Sequence, residues 1–149
     1  MSVEILIPSI WQVKIKCDSA VKICHVDPAH KLKKLCQFIL DSFEFDNDHL
    51  HQFYISKNGD PYGSQTRKVN SGSTIGSVYP LPEKTHLYLL FDFGDKWVFK
   101  IERMNKKVSW NSKAKYPVVI EEKGDNPIQY PNYNELDDPD TPIIDIYRS

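Results

Sequence analysis

Cysteine is scarce in this 149-residue chain, and its few copies follow no pairing or metal-binding pattern. Cys17, Cys24 and Cys36 are odd in number and include no Cys-x-x-Cys pair. This arrangement argues against a disulfide framework and a cysteine-based zinc site, and it is typical of a protein in a reducing cytoplasm. Cys36 falls in an apolar stripe, so we expect a small buried hydrophobic residue rather than a reactive thiol.

Long hydrophobic runs are also missing. The first residues lack the basic and apolar stretches of a secretory signal. No segment approaches the roughly 20 apolar residues of a membrane-spanning helix. The length and the apolar content of 40% therefore predict one cytoplasmic domain with a single core and no membrane partner.

The chain has no strong net charge, since its formal charge is -1, but the charges are unevenly distributed. Residues 1–116 hold 17 Lys and Arg against 12 Asp and Glu, whereas residues 117–149 hold 2 against 8. We predict a domain over residues 1–133 and an acidic C-terminal tail over residues 134–149, which is an interaction surface or a solvated end. Ile143, Ile144 and Ile146 leave open whether this tail docks on the core. The candidate nucleic-acid contacts are the lysines of the basic part: Lys31, Lys33, Lys34, Lys106, Lys107, Lys113 and Lys115.

A hairpin is predicted from Leu87 to Arg103. Apolar residues recur at every second position on both sides of a turn: Leu87, Leu89 and Phe91, then Trp97, Phe99 and Ile101. Gly94 is expected to supply a positive φ at the turn. The carboxylates of Asp92 and Asp95 are expected to bond turn backbone N–H groups or, alternatively, to form a ligand site at the hairpin tip.

One amphipathic helix is predicted over residues 28–44. Asp27 is a suitable cap and Pro28 a suitable first residue. An apolar stripe follows at spacings of three and four: Leu32, Leu35, Cys36, Ile39, Leu40 and Phe43. Further strands are predicted at residues 3–7, 10–17, 21–26, 49–55 and 116–121. Residues 57–77 are predicted to form a long loop, and residues 104–115 are predicted to be irregular. The expected fold is α+β: a mainly antiparallel, twisted sheet of about five or six strands with this helix across one face.

His49 and His51 stand two residues apart in a predicted strand, beside Asp48. Such a pair can ligate a metal, but a firm site needs a third well-spaced partner. We expect His49 instead to hydrogen-bond the 46–48 loop or the hairpin carboxylates, and we predict no metal and no cofactor. Trp97, on the inward face of the hairpin, completes the candidate binding residues Asp48, His49, His51, Asp92, Asp95 and Trp97.

Several segments, taken in order, resemble one family. They are Ile10-Trp11, residues 43–49, Phe53-Tyr54, Asp60-Pro61-Tyr62, residues 89–99 with their Asp-Phe-Gly-Asp-x-Trp motif, Tyr116-Pro117, and residues 126–131. Over roughly residues 3–133 the chain resembles the plasmid ORF-three-like proteins, often labelled the transposon passenger TnpR family. The resemblance implies an α+β domain found in plasmids, mobile elements and prokaryotic chromosomes, without a demonstrated activity.

The resolvase activity that the TnpR label suggests is not expected, because serine resolvases need a nucleophilic serine with an arginine cluster. This chain has only Arg67, Arg103 and Arg148. We therefore favour a non-enzymatic binding or accessory module associated with mobile genetic elements. One alternative is a metal-dependent hydrolase or nuclease using Asp48, His49, His51, Asp92 and Asp95, should the strand and hairpin tip converge. Another is a protein-interaction module using exposed aromatics, so the partner is a nucleic acid or a protein.

Overall fold

The computed structural model describes residues 9–130, which form an antiparallel sheet of seven strands and one α-helix. The elements are β1 (Ser9–Cys17), β2 (Ala20–Val26), α1 (Leu32–Ser42), β3 (His51–Ser56), β4 (Arg67–Val69), β5 (His86–Phe91), β6 (Trp97–Ser109) and β7 (Val118–Lys123). The strand order is β4-β3-β5-β6-β1-β2-β7. The predicted α+β class is confirmed, with seven strands rather than five or six.

Two strand segments escaped prediction. β4 lies within the predicted loop and pairs with β3. Its short Arg-Lys-Val sequence is polar and shows no apolar alternation that would have predicted a strand. The far half of β6, predicted as irregular, pairs with β1 across a register shift between Trp11 and Val13. A bulge of this kind interrupts the period of two that would reveal the strand.

The helix begins at Leu32, four residues later than predicted. Asp27 accepts the N–H of Ala29 in a turn before the helix rather than capping the helix itself. The N–H groups of Leu32 and the next residue donate to the carbonyl oxygens of Ser73 and Ser71, each at 2.9 Å. A distant loop thus supplies the cap, and local sequence signals could not have revealed it.

The main core lies between α1 and one face of the sheet. The helix contributes Leu32, Leu35, Cys36, Ile39 and Leu40, all buried. Burial of each such side chain contributes about 1.5–3 kcal/mol. All three cysteines are buried, and desolvation raises the pKa of each thiol to about 12, so Cys36 behaves as the small hydrophobic residue that was predicted.

The opposite face of the sheet carries a smaller apolar cluster. Tyr54 stacks on Tyr88 with ring centroids 5.2 Å apart, beside buried Leu90. The loop after β3 crosses this cluster, since the Tyr54 hydroxyl donates to the carbonyl of Gly59. Within residues 9–130, no helix is long and apolar enough to cross a membrane. The predicted strand at 3–7 and the acidic tail, with Ile143, Ile144 and Ile146, lie outside the described residues.

Candidate functional site

The start of β3 and the tip of the β5–β6 hairpin converge around His49. Its Nδ1 lies 2.7 Å from Asp48 Oδ1, and its Nε2 lies 3.7 Å from Asp92 Oδ2. The hydrogen bond to Asp48 raises the pKa of His49, and the charges of Asp92 and Asp48 act in the same direction. The hydrogen bond expected for His49 is thus present to the 46–48 loop, while the hairpin carboxylate of Asp92 lies at ion-pair distance.

The segment before residue 131 closes the cluster from a third side. The Tyr130 hydroxyl donates to Asp48 Oδ2 at 2.8 Å and lies 3.0 Å from His49 Nδ1. Desolvation alone would raise the pKa of Asp48, but hydrogen bonds from Tyr130 and His49 lower it. Desolvation raises the pKa of Tyr130 to about 12, and the hydrogen bond to Asp48 acts in the same direction.

Gln129 anchors this segment to the loop after α1. Its Oε1 accepts the N–H of Asp46 at 2.6 Å, and its Nε2 donates to the Asp46 carbonyl at 3.0 Å. Gln129 is itself buried. Sequence reasoning did not select Gln129 or Tyr130 as site residues, although both fall in a segment that carries the family resemblance.

The hairpin tip is closed by Asp92 rather than by Gly94. Asp92 and Lys96 have the positive φ values, 65° and 57°, so the positive φ predicted for Gly94 is wrong. The Asp92 carboxylate accepts the N–H groups of Gly94 and Asp95 at 3.1 and 3.2 Å. A short polar side chain can stabilise the left-handed conformation in this way, which removes the need for glycine. Asp95 adds to the raised pKa of His49.

His51 does not join the cluster. β3 begins only at His51, so the strand period does not extend back to His49. His51 instead packs edge-on against Phe53 at 5.9 Å, and desolvation together with the charge of Lys33 lowers its pKa. Within residues 9–130 no group of three or more His, Cys, Asp and Glu is placed to hold a metal ion.

The seven candidate lysines divide into groups. Lys31, Lys33 and Lys34 line a groove of about 520 Å³ beside His51. Lys106 lies near His25, a residue of β2. Desolvation and the charge of Lys106 lower the pKa of His25. Lys106 itself belongs to β6, which β5 separates from β3. The remaining three follow along the chain: Lys107 in β6, and Lys113 and Lys115 in the loop before β7.

Trp97 pairs with Phe91 across the hairpin and packs against the segment that follows α1. Its ring meets Phe45 edge-on at 5.0 Å, and its indole N–H is buried without a hydrogen-bond partner among the described residues. Phe45 also packs against Phe91 and Phe99. Trp97 therefore joins the hairpin to the end of α1 and presents little surface to a partner.

A family model described as plasmid pRiA4b ORF-3-like protein matches residues 12–130. The chain belongs to this family. The match is narrower than the predicted 3–133 but includes every member of the His49 cluster. The three family segments that hold Asp48, Asp92 and Tyr130 thus meet in one place, although they lie far apart in the sequence.

The fold has a relative among solved structures. A protein of unknown function from Methanosarcina mazei Go1, MM3350, superposes with a TM-score of 0.65 at 18% identity, over 81% of this chain and 72% of that one. At this identity the similarity establishes the fold alone. A comparison with curated proteins finds no match.

The cluster of this plasmid ORF-3-like protein is polar at its centre and apolar at its rim. Leu50, Phe93, Ile128 and Tyr130 are 73%, 42%, 66% and 48% exposed. Tyr130 is a member of the cluster, Leu50 and Phe93 follow His49 and Asp92 in the sequence, and Ile128 precedes the anchoring Gln129. We call the residues Asp48, His49, Leu50, Asp92, Phe93, Ile128 and Tyr130 the His49 surface. A histidine between carboxylates can transfer protons, but its hydrogen-bond and ion-pair partners among residues 9–130 are Asp48, Asp92 and Tyr130, without a serine, threonine or cysteine nucleophile.

Proposed function

We propose that this plasmid ORF-3-like protein is a non-enzymatic binding module that serves a mobile genetic element, and that its His49 surface docks a protein partner. One observation carries the proposal. Three separate family segments meet to hold a hydrogen-bonded polar centre, and exposed apolar side chains stand next to its members in the sequence. The association with mobile elements is supported by the plasmid origin in the family's description.

The apolar rim is the part that favours a partner. Single exposed apolar residues are ordinary on a protein surface, whereas contiguous ones mark interaction sites. Leu50, Phe93 and Tyr130 adjoin a centre whose polar groups already have partners within the chain. Protein interfaces share this combination of aromatic and apolar contacts with a few fixed polar groups.

The charges indicate the chemistry of the partner. Asp48, Asp92 and Asp95 lie around one histidine, and the nearby Lys96 ammonium lies over the Tyr62 ring at 5.5 Å. An acidic centre with an apolar rim is complementary to an arginine or lysine flanked by apolar residues. The proposed partner is therefore a protein segment of that composition.

Site-specific photocrosslinking in the native host tests this proposal. A photoreactive phenylalanine analogue at position 93 should capture one partner, and Leu50→Asp should abolish the product. The matched control is Ile120→Asp, which changes another exposed apolar residue on β7, at the far edge of the sheet. Equal capture in both variants, or no product from the otherwise unchanged chain, would refute the docking proposal.

The metal-dependent hydrolase is a second candidate, because Asp48, His49 and Asp92 do converge. The position of His51, away from the cluster, weighs against it. Elemental analysis of protein purified without added metal decides between the two functions. Stoichiometric zinc or manganese that disappears in His49→Ala would favour the hydrolase over the docking module.

A further inference from the structure

A second concave site lies at the opposite end of the β5–β6 hairpin. β5 begins at His86 whereas β6 continues to Ser109, so β6 has no β5 neighbour beyond Ile101. A cavity of about 490 Å³ occupies this step, closed on one side by the segment from residue 76 to residue 85. Its volume falls in the range of about 300–1,000 Å³ that is usual for small-molecule sites.

One wall of the cavity is aromatic and apolar. Trp11 and Tyr79 meet edge-to-face with centroids 5.2 Å apart, and Leu81 continues the same wall. Tyr79 is partly buried, and desolvation raises its pKa to about 12. Such a wall favours a ligand with a planar or apolar body.

A cation stands over this wall. The Arg103 guanidinium lies 3.6 Å from the centroid of the Trp11 ring. No carboxylate among residues 9–130 forms an ion pair with it; its neighbour Glu102 instead pairs with Lys14, His86 and Lys100. Stacking holds the guanidinium plane while leaving the N–H groups at its edge available, and that edge matches the two oxygens of a carboxylate or phosphate.

His86 adds a second polar group. Its Nε2 lies 3.5 Å from Glu102 Oε2, while its Nδ1 is buried without a hydrogen-bond partner among the described residues. Unpaired buried polar atoms are rare in folded proteins, and each calls for an explanation. His86 therefore adds a polar side chain to the lining of the cavity, with one ring nitrogen unpaired among the described residues.

From this geometry we infer that the cavity binds a small organic anion, with a carboxylate or phosphate group held by Arg103 and a planar or apolar body against Trp11 and Tyr79. The charge of Glu102 is partly offset, because the ammonium groups of Lys14 and Lys100 lie 3.6 and 3.9 Å from its carboxylate. This site is independent of the His49 surface, which lies at the other end of β5.

Titration of ¹⁵N-labelled protein with benzoate, phenyl phosphate, inorganic phosphate and neutral benzamide tests the inference. The chain has three tryptophans, so Trp97 and Trp110 provide internal reference signals once Trp11→Phe has assigned the third. We expect benzoate or phenyl phosphate to shift the Trp11 indole signal in a saturable manner. The one that binds more tightly shows whether the site prefers a carboxylate or a phosphate group. A benzamide response of equal strength, equal binding of inorganic phosphate, or no response to either organic anion would overturn the inference.

Arg103→Met preserves contact with Trp11 but removes the charge, so the organic anion should bind about tenfold more weakly or worse. Arg67→Met, which removes an exposed arginine on β4, should leave binding unchanged. Unchanged affinity in folded Arg103→Met would refute the role of Arg103. Should that variant not fold, the contrast between benzoate and benzamide at the Trp11 signal of the unaltered chain decides the question.

Discussion

The two ends of β5 present two histidines in contrasting surroundings. His49, near the end that leads into the hairpin turn, has hydrogen-bond or ion-pair partners at both ring nitrogens. His86, at the other end about 20 Å away, has a carboxylate at one nitrogen and no described partner at the other. A polar cluster whose groups pair within the chain stabilises its own fold and offers a partner its net charge and the apolar residues beside it, whereas an unpaired polar group in a cavity is suited to a ligand.

The largest effect is expected at the hairpin end that includes Trp97. Trp97→Ala should lower the free energy of unfolding by about 3 kcal/mol, near the lower end of the range for large aromatics, because the ring is only partly buried. Chemical denaturation measures the loss, with Trp110→Ala as the exposed control. A loss below about 1 kcal/mol would show that the Phe45–Trp97 contact contributes little to the stability of the fold.

Gln129→Ala should destabilise the protein by about 1–3 kcal/mol, since it leaves the N–H and carbonyl of Asp46 without their partners. The exposed Gln65→Ala provides the matched control. Urea denaturation of both variants measures the difference. Equal stabilities would mean that the segment before residue 131 is not anchored through Gln129, and the description of the His49 end as internally satisfied would fail.

Arg103→Met should have a smaller effect on stability, about 0.5–1 kcal/mol, because only the cation–π contact with Trp11 is lost. Urea denaturation at low anion concentration provides the measurement. A loss above about 2 kcal/mol would indicate that Arg103 is a structural residue, and the contrast between the two ends of β5 would then disappear.

The smallest effect concerns pH. The pKa of His49 in the folded state is raised above the ordinary value of 6.5. Protonated His49 therefore stabilises the fold fully below pH 6.5, and this contribution is lost as the pH rises through the folded-state pKa. The difference in Tm between the unaltered chain and His49→Gln should therefore be larger at pH 5.5 than at pH 8.5.

Asp92→Asn sharpens the same measurement. Removing a negative charge beside the ring should lower the pKa of His49 in an NMR titration. The asparagine can still accept the turn N–H groups and adopt a positive φ, so the hairpin should remain folded. A Tm difference for His49→Gln that does not change with pH, or a His49 pKa that Asp92→Asn leaves unaltered, would contradict the electrostatic description.

Much of the fold followed from apolar periodicity. The alternation at Leu87, Leu89 and Phe91 and the stripe through Cys36 and Leu40 both indicated buried faces, since burial of apolar surface dominates the stability of a domain. The carboxylate partners of His49 were also within reach of sequence reasoning, because Asp48 is its neighbour and the hairpin carboxylates were named as alternatives, whereas its contact with Tyr130 was missed.

The sequence by itself thus determined the fold class, the hairpin, the buried helix stripe and the family. Only the tertiary structure decided the cap of α1, supplied by the carbonyls of Ser71 and Ser73, and the joining of Gln129 to Asp46. The same holds for the Arg103 cavity, which exists because β5 stops where β6 continues. Periodicity records which face of an element is apolar, whereas these features depend on which distant backbone and side-chain groups meet after the strands have paired.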